Sequence, residues 1–249
     1  SGSGVVLSED GYVLTNPHVV TLGGEAANAQ LRVTMSDGTI YDATVVGTDP
    51  TYDLAVIKLD GASGLTPVTF ADSSKLNVGD TSVAIGAPMG LNNTVTTGVI
   101  SNVNRSIEIA SSAAPEDNST QQDDSGQQQS PWFFDLPGQD GQNSQGDSST
   151  TTTSESIKIA VLQTDAAINP GNSGGALLNS SGELIGINVA IATANSTSGE
   201  SGSIGLGFAI PANIAQRVAD EIIDNGSATH GLLGASVAPA ASVEGTSTT

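Results

Sequence analysis

The chain has 249 residues, with 26 acidic against 6 basic side chains for a formal charge of −20, two histidines and no cysteine. That balance argues against a nucleic-acid partner, which needs Lys and Arg against phosphate. The missing thiols exclude a disulfide framework or thiolate centre, two histidines leave little for a zinc site, and nothing implies a cofactor.

Hydrophobic residues make up 37% of the chain, enough for one large core or two smaller ones, and no apolar run reaches the roughly 18 residues that span a bilayer. The chain opens in strand-like sequence, which leaves room for an upstream targeting or membrane-tethering segment. Runs rich in Val, Ile and Thr, broken by Gly, Asp, Asn and Ser, predict strands at 4–7, 12–15, 31–35, 39–46 and 54–59. A second set lies at 82–85, 94–103, 157–164, 175–178, 184–192 and 205–209. Nothing of βαβ length lies between them. Two β modules result, 1–75 and 76–226, with their boundary in the stretch from Phe70 to Val78.

The segment "PANIAQRVADEIIDNG" spaces Ile214, Val218 and Ile222 at helical intervals, with a proline near its start and Gly226 just past its end. It predicts an amphipathic helix closing the second module, with residues 227–249 as helix end and linker. Residues 111–156 change character to Ser, Thr, Gln, Asn, Asp and Gly; they hold eight acidic residues and no Lys or Arg. Such a composition buries too little apolar surface to offset chain entropy, so the expectation is a disordered acidic insertion. Its one apolar island, "PWFFDLPG" with Trp132, Phe133 and Phe134, reads equally as a patch on the protein's own surface or as a docking motif.

The stretch "INPGNSGGALL" surrounds Ser173 with Gly171, Gly174 and Gly175. It satisfies both the strand-to-helix nucleophile elbow of α/β-hydrolases and the glycine-flanked serine of chymotrypsin-like proteases. After the serine come "GALL", a turn at "NSSGE" and "LIGINVAIA", a hairpin pattern that disfavours the elbow. An elbow enzyme would also need His230 after the serine, whereas the order His, Asp, Ser uses His18 in "YVLTNPHVV". There Pro17 suits the first turn of a short helix that would hold the imidazole at a strand's end. Asp42, Asp49, Asp53 and Asp60 are the acid candidates. Spacing selects none of them; Asp53, heading "DLAVIKL", has the best context.

In order along the chain, "GSGVVLSEDGYVLTNPHVV", "DPTYDLAVIKL", "VGDTSVAIGAP", "TTGVIS", "LQTDAAINPGNSGGALLNSSGELIGINVAI" and "GLGFAIP" resemble the HtrA/DegP family of serine proteases. The resemblance implies an all-β chymotrypsin/trypsin-like double β-barrel with a C-terminal helix. It also implies an endopeptidase that cleaves unfolded or damaged protein in extracytoplasmic quality control, in the bacterial cell envelope or secreted. In that reading His18 is general base and acid, Asp53 orients it, and Ser173 is the nucleophile of an acyl-enzyme. Gly171, Asn172 and Ser173 form the oxyanion hole, through backbone N–H groups of Gly171 and Ser173. Ile168, Asn188, Val189, Ala190 and Ile191 bind substrate, their strand pairing with extended polypeptide and their pocket taking small or medium aliphatic side chains. Asn172 stands where trypsin-like enzymes carry the aspartate that pairs with a clipped N-terminus, so that route of activation is not expected.

The chain also departs from the family pattern. A strand before "GSG", the segment that makes trimer contacts and the PDZ domain after "GLLGASV" are not in it, so a trimer and a PDZ domain are expectations for a longer protein only. The insertion occupies a loop that in the family regulates the active site. Two other readings stay open at this point: a holdase-like binding module whose triad rests in an inactive state, and a serine esterase.

Overall fold

A computed structural model of the chain describes residues 2–20, 31–87, 94–110, 156–169, 171–189 and 205–231. Eleven strands and one long helix make up these residues, together with a single turn of helix after the second strand and a 3₁₀ turn at Ser73–Lys75. The expected insertion apart from Ser156, which begins a strand, lies outside the described residues, as do its "PWFFDLPG" island, Ala190 and Ile191.

The first module is a sheet of β1 (Val5–Val6), β2 (Tyr12–Thr15), β3 (Leu31–Thr34), β4 (Ile40–Asp49) and β5 (Leu54–Leu59) in the order β1-β2-β5-β4-β3. All neighbours are antiparallel. Among the described residues the expected pair of barrels is one closed barrel and one half-barrel sheet with β1 and β3 at its edges. β5 is the central strand, and its sequence says why: "LAVIKL" is apolar on both faces, as a strand covered on both sides must be. Leu54 and Val56 face a core shared with the second module, while Ala55, Ile57 and Leu59 face the module's own.

The second module closes as β10 (Leu184–Val189), β11 (Gly207–Pro211), β8 (Ser156–Thr164), β7 (Thr94–Ala110), β6 (Thr81–Gly86) and β9 (Ala176–Leu178). Ala84, Ile100, Leu162, Ala166, Ile168, Leu177, Ile185 and Ala209 fill its interior. β7 runs 17 residues, well past the expected end at Val103, because it stays paired with β8 to Ala110↔Ser156 after two register shifts between Ile100 and Arg105.

Two helices complete the described chain, the single turn α1 (Pro17–Val20) and the C-terminal α2 (Ala212–Asn225). α2 ends at Gly226, which has φ 77° and donates its N–H to Ile222 O at 2.8 Å, as a left-handed cap requires. Its buried residues are Ala212, Ala215, Val218, Ala219 and Ile222, one face at helical spacing. Ile214, expected in that face, is only partly buried. The helix does more than close the second module, for Val218 and Ile222 share a cluster with Leu54 and Val56 of β5 as well as Ile187 and Ile210 of the barrel. Burying each of Val218 and Ile222 contributes about 1.5–3 kcal/mol to holding the two modules as one body. At the helix's end a Cβ on Gly47, beside the β4 bulge, would overlap the Gly226 carbonyl; small size is what that crossing demands.

Candidate active site

His18 is delivered by the end of β2. The strand pairs Thr15 with Ala55 and then turns, with Val19 N–H donating to Asn16 O at 3.1 Å, into α1, whose first residue is Pro17. Proline fits there because its fixed φ is helical and a first-turn N–H needs no partner. The neighbouring strand β5 begins just after Asp53, so the pairing of β2 with β5 carries His18 and Asp53 to the same end of the sheet. His18 Nδ1 lies 3.5 Å from Asp53 Oδ2, with the histidine side chain 20% and the aspartate side chain 7% exposed. The nitrogen facing the carboxylate is Nδ1, which directs Nε2 away from it.

Asp53 has φ 52°, the one left-handed backbone outside glycine among the described residues. For an L-residue other than Asn or Asp that costs about 1–2 kcal/mol, and aspartate is among the types that tolerate it. The conformation is held from behind. Asn16, fully buried, donates its Nδ2 to Asp53 O at 2.5 Å.

The other acid candidates are placed elsewhere. Asp42 is exposed and 3.7 Å from Arg32, Asp60 is exposed, and Asp49 is buried against His230, with Nε2 to Oδ1 at 2.9 Å. His230 further packs on Tyr52, ring centroids 5.5 Å apart. His230 thus has an acid of its own in Asp49, and Ser173 is followed by the β9–β10 hairpin rather than a helix. Both observations remove the elbow esterase reading.

Ser173 is 4% exposed, in the turn that joins β8 to β9. Gly171 has φ 101° and Gly174 φ 80°, conformations that glycine adopts without penalty. At Gly174 a Cβ would also overlap Ser3 O and Thr15 Oγ1, so the first module presses directly on the residue after the serine. Ser3 N–H donates to Ser173 O at 2.9 Å, and Thr15 Oγ1 donates to Ser3 O at 2.7 Å. A short chain of hydrogen bonds thereby runs from the serine's carbonyl to the strand that carries His18.

Two of the expected site residues have backbone groups engaged within the turn. Asn172 N–H donates to Asn169 O at 2.9 Å, so it closes the turn between Gly171 and Ser173, whose N–H groups are the expected oxyanion donors. Its side chain is buried against Gly86, where a Cβ would overlap it. Asn188 does not offer its backbone to substrate: its N–H donates to Gly175 O and its C=O accepts from Gly174 N–H, both at 2.9 Å. Its side chain, fully buried, donates Nδ2 to Ala176 O at 2.9 Å. Asn188 therefore holds the serine turn onto β10. Ile168, 5% exposed, sits in the barrel interior over Gly207, and Val189, 2% exposed, in the shared core.

Ser3, Thr15, Asn16 and the side chain of Asn188 support the site through bonds that no motif in the sequence marks. A signal was present for two of them, since Thr15 and Asn16 are polar residues ending an apolar strand and so need internal partners.

A protein-family description, trypsin-like peptidase domain, matches residues 2–187. Among curated relatives, serine protease PepD of Mycobacterium tuberculosis is 43% identical over 242 residues, covering 95% of this chain and 44% of that protein. The periplasmic pH-dependent serine endoprotease DegQ of Escherichia coli is 38% identical over 94% of this chain and 39% of its own. Among solved structures, the HtrA-type protease AlgW with a decapeptide superposes with a TM-score of 0.60 at 36% identity, covering 90% of this chain and 52% of that one. The chain spans less than half the length of these curated relatives.

Proposed function

The chain belongs to the trypsin-like peptidase family, in its HtrA/DegP group of serine proteases, and on that premise we propose that it is a serine endopeptidase acting on unfolded or damaged polypeptides outside the cytoplasm. The observation that carries the reading is the buried Asp53 carboxylate 3.5 Å from His18 Nδ1, at the end of the sheet to which the Ser173 backbone is bonded through Ser3 and Thr15.

In this reading Ser173 Oγ attacks the scissile carbonyl carbon while His18 Nε2 takes the hydroxyl proton. Asp53, buried beside Nδ1, stabilises the imidazolium and keeps its orientation. The carbonyl electron pair moves to oxygen, where the N–H groups of Gly171 and Ser173 receive it. The C–N bond then breaks, the proton passes from His18 to the leaving amine, and an acyl ester remains on Ser173. Water, deprotonated by His18, attacks the ester, and collapse of the second tetrahedral species returns the serine proton.

Selection of unfolded chains follows from strand geometry. The pairing of β10 toward the serine turn ends at Asn188, so we place the docking of extended substrate backbone from Val189 onward, including Ala190 and Ile191. A folded segment cannot offer the continuous unpaired backbone such docking needs. The names of relatives as periplasmic serine endoproteases in bacteria support an extracytoplasmic site of action.

The test is a fluorophosphonate probe added to the protein, with the labelled residue located by peptide mapping, beside cleavage of fluorescent casein. Label on Ser173 and casein turnover are expected. Label absent from Ser173 under conditions where casein is cut would overturn the assignment, and intact casein binding without turnover would favour a holdase.

A further inference from the structure

Ser3 lies 168 residues from Gly171 in sequence, yet its polar atoms converge on the turn around the nucleophile. Its hydroxyl donates to Gly171 O at 2.8 Å and accepts from Ala87 N–H at 2.9 Å. Its N–H donates to Ser173 O at 2.9 Å, and its C=O accepts from Thr15 Oγ1 at 2.7 Å. Donors and acceptors on this residue are all used.

These bonds act on alternate peptide planes of the turn. In the Gly171–Asn172 peptide the C=O is held by Ser3 Oγ and the N–H by Asn169 O at 2.9 Å. In the Ser173–Gly174 peptide the C=O is held by Ser3 N–H and the N–H by Asn188 O at 2.9 Å. These two planes alternate with the two that carry the N–H groups of Gly171 and Ser173. A peptide unit is planar and stiff, so holding every second plane at both ends restricts rotation of those between. Restraint is needed most at Gly171, with φ 101°, because glycine offers little steric resistance to a flip of its flanking peptides.

We propose that Ser3 is a positioning residue of the nucleophile turn, whose hydroxyl fixes the Gly171–Asn172 peptide and so keeps the Gly171 N–H aimed where a tetrahedral oxyanion forms. The proposal rests on the proteolytic reading above. Ser3 touches neither substrate nor the reacting atoms; it acts through Gly171. Since its carbonyl is held by Thr15, at the end of the His18 strand, one residue sets the serine turn against the histidine strand across the junction of the two modules. A turn built from glycine for close approach thereby receives part of its rigidity from the opposite module.

The experiment compares wild type, Ser3→Ala and Ser3→Cys in the full chain, measuring kcat and KM on fluorescent casein, affinity for a peptidyl boronate, and melting temperature. Boronate adducts of serine are tetrahedral and need the oxyanion donors, whereas KM reports ground-state binding. For Ser3→Ala the expected result is a fall in kcat of about 10- to 100-fold, an equal loss in boronate affinity, and KM within about twofold. Ser3→Cys, similar in shape with a weak S–H donor, should fall between. A role in stability alone predicts lost melting temperature with kcat per folded molecule unchanged, and that result overturns the proposal. Should Ser3→Ala fail to fold, the Cys variant decides, an unchanged kcat and boronate affinity again overturning it. A wild type that the fluorophosphonate probe does not label at Ser173 defeats the proteolytic reading instead, whereas a labelled wild type with indifferent Ser3 variants defeats the positioning role alone.

Discussion

Asn16 donates its side-chain amide to the backbone carbonyl of Asp53 at 2.5 Å, a fully buried bond between residues 37 apart in sequence. One residue before the helix of His18 is thus tied to the aspartate that faces the imidazole. The left-handed φ of 52° at Asp53 is the conformation this bond holds.

Asn16→Ala leaves the Asp53 carbonyl buried without its donor, a loss of about 1–3 kcal/mol in stability. Activity should fall further than folding does, by about tenfold or more in kcat/KM, because the carboxylate is no longer held beside Nδ1. Denaturant titration and casein turnover on the same preparation separate the two effects. Equal activity per folded molecule would show that Asp53 keeps its place without Asn16.

Replacement of the reacting groups sets the scale for that comparison. Ser173→Ala and His18→Ala should each lower kcat by on the order of 10³-fold or more, and the double variant should lose little beyond either. Asp53→Asn should cost about 10⁴-fold while leaving the fold intact. His230→Ala, which removes the partner of Asp49, should leave turnover near wild type; loss of turnover there with full activity in His18→Ala would reverse the assignment of the two imidazoles.

Strand periodicity made most of the fold legible in the residues themselves. "YVLT" and "LAVIKL" form strands with the expected limits, Tyr12–Thr15 and Leu54–Leu59, because apolar β-branched runs bounded by turn residues have few alternatives. Local pattern failed where long-range pairing took over. β7 continues through the polar "SNVNRS" because β8 supplies partners for its backbone. The site divided in the same way. The glycines around Ser173 and the strand end at His18 were visible as local chemistry, but the hydroxyl of Ser3 and the amide of Asn188 work through residues far away in the chain. No spacing rule could place them. Asn188, expected on the substrate strand, has both backbone groups bonded to the serine turn, and the Asn172 N–H closes that turn.

Glycine requirements differ between the site and the surface in a way that a pair of variants can expose. Gly174→Ala meets both a φ of 80° and overlap with Ser3 O and Thr15 Oγ1, so activity should vanish and stability should drop by several kcal/mol. Gly38→Ala has a comparable φ of 88° with open space around it, and should cost only the backbone strain, about 1–2 kcal/mol, with activity kept. Thermal melts and casein turnover compare them directly; similar losses in both would mean that contact with the first module contributes nothing at Gly174.

Acid should loosen the segment after α2 at a known place. Glu221 accepts from the Thr229 N–H at 2.6 Å, from the Thr229 hydroxyl at 2.8 Å and from Arg217 at 2.7 Å. These bonds, the Thr229 N–H first, lower its pKa from 4.5 to about 2. A folded-state pKa below the unfolded one means that the stabilisation is complete above 4.5 and is lost as pH falls from there toward 2. Melting temperature should therefore fall more steeply with acid in wild type than in Glu221→Gln, and Thr229 amide exchange should lose its protection over the same range. Parallel melting curves would show that the bonds to Thr229 add nothing to folding.

The register of β7 and β8 dictates how the acidic insertion can be removed without disturbing the barrel. Ala110 and Ser156 are paired across the two antiparallel strands, and partners in such a ladder stand about 4.5–5.5 Å apart, a gap that a two-residue turn closes. Replacing residues 111–155 with Asn-Gly therefore preserves every pair from Ile100↔Thr164 outward, whereas a join made at Ser106 would discard four of them. The removed stretch is polar and acidic apart from Trp132, Phe133 and Phe134, and closure entropy changes only slowly with loop length. Melting temperature should consequently stay within a few degrees of wild type, while casein turnover changes if the insertion regulates the site. Trp132, Phe133 and Phe134 changed together to serine should reproduce the altered turnover if the apolar island is the regulatory contact, and leave it alone if the island only covers surface. A large fall in melting temperature on deletion would show that these residues bury core area that their composition does not suggest, and would remove the ground for treating the loop as regulatory.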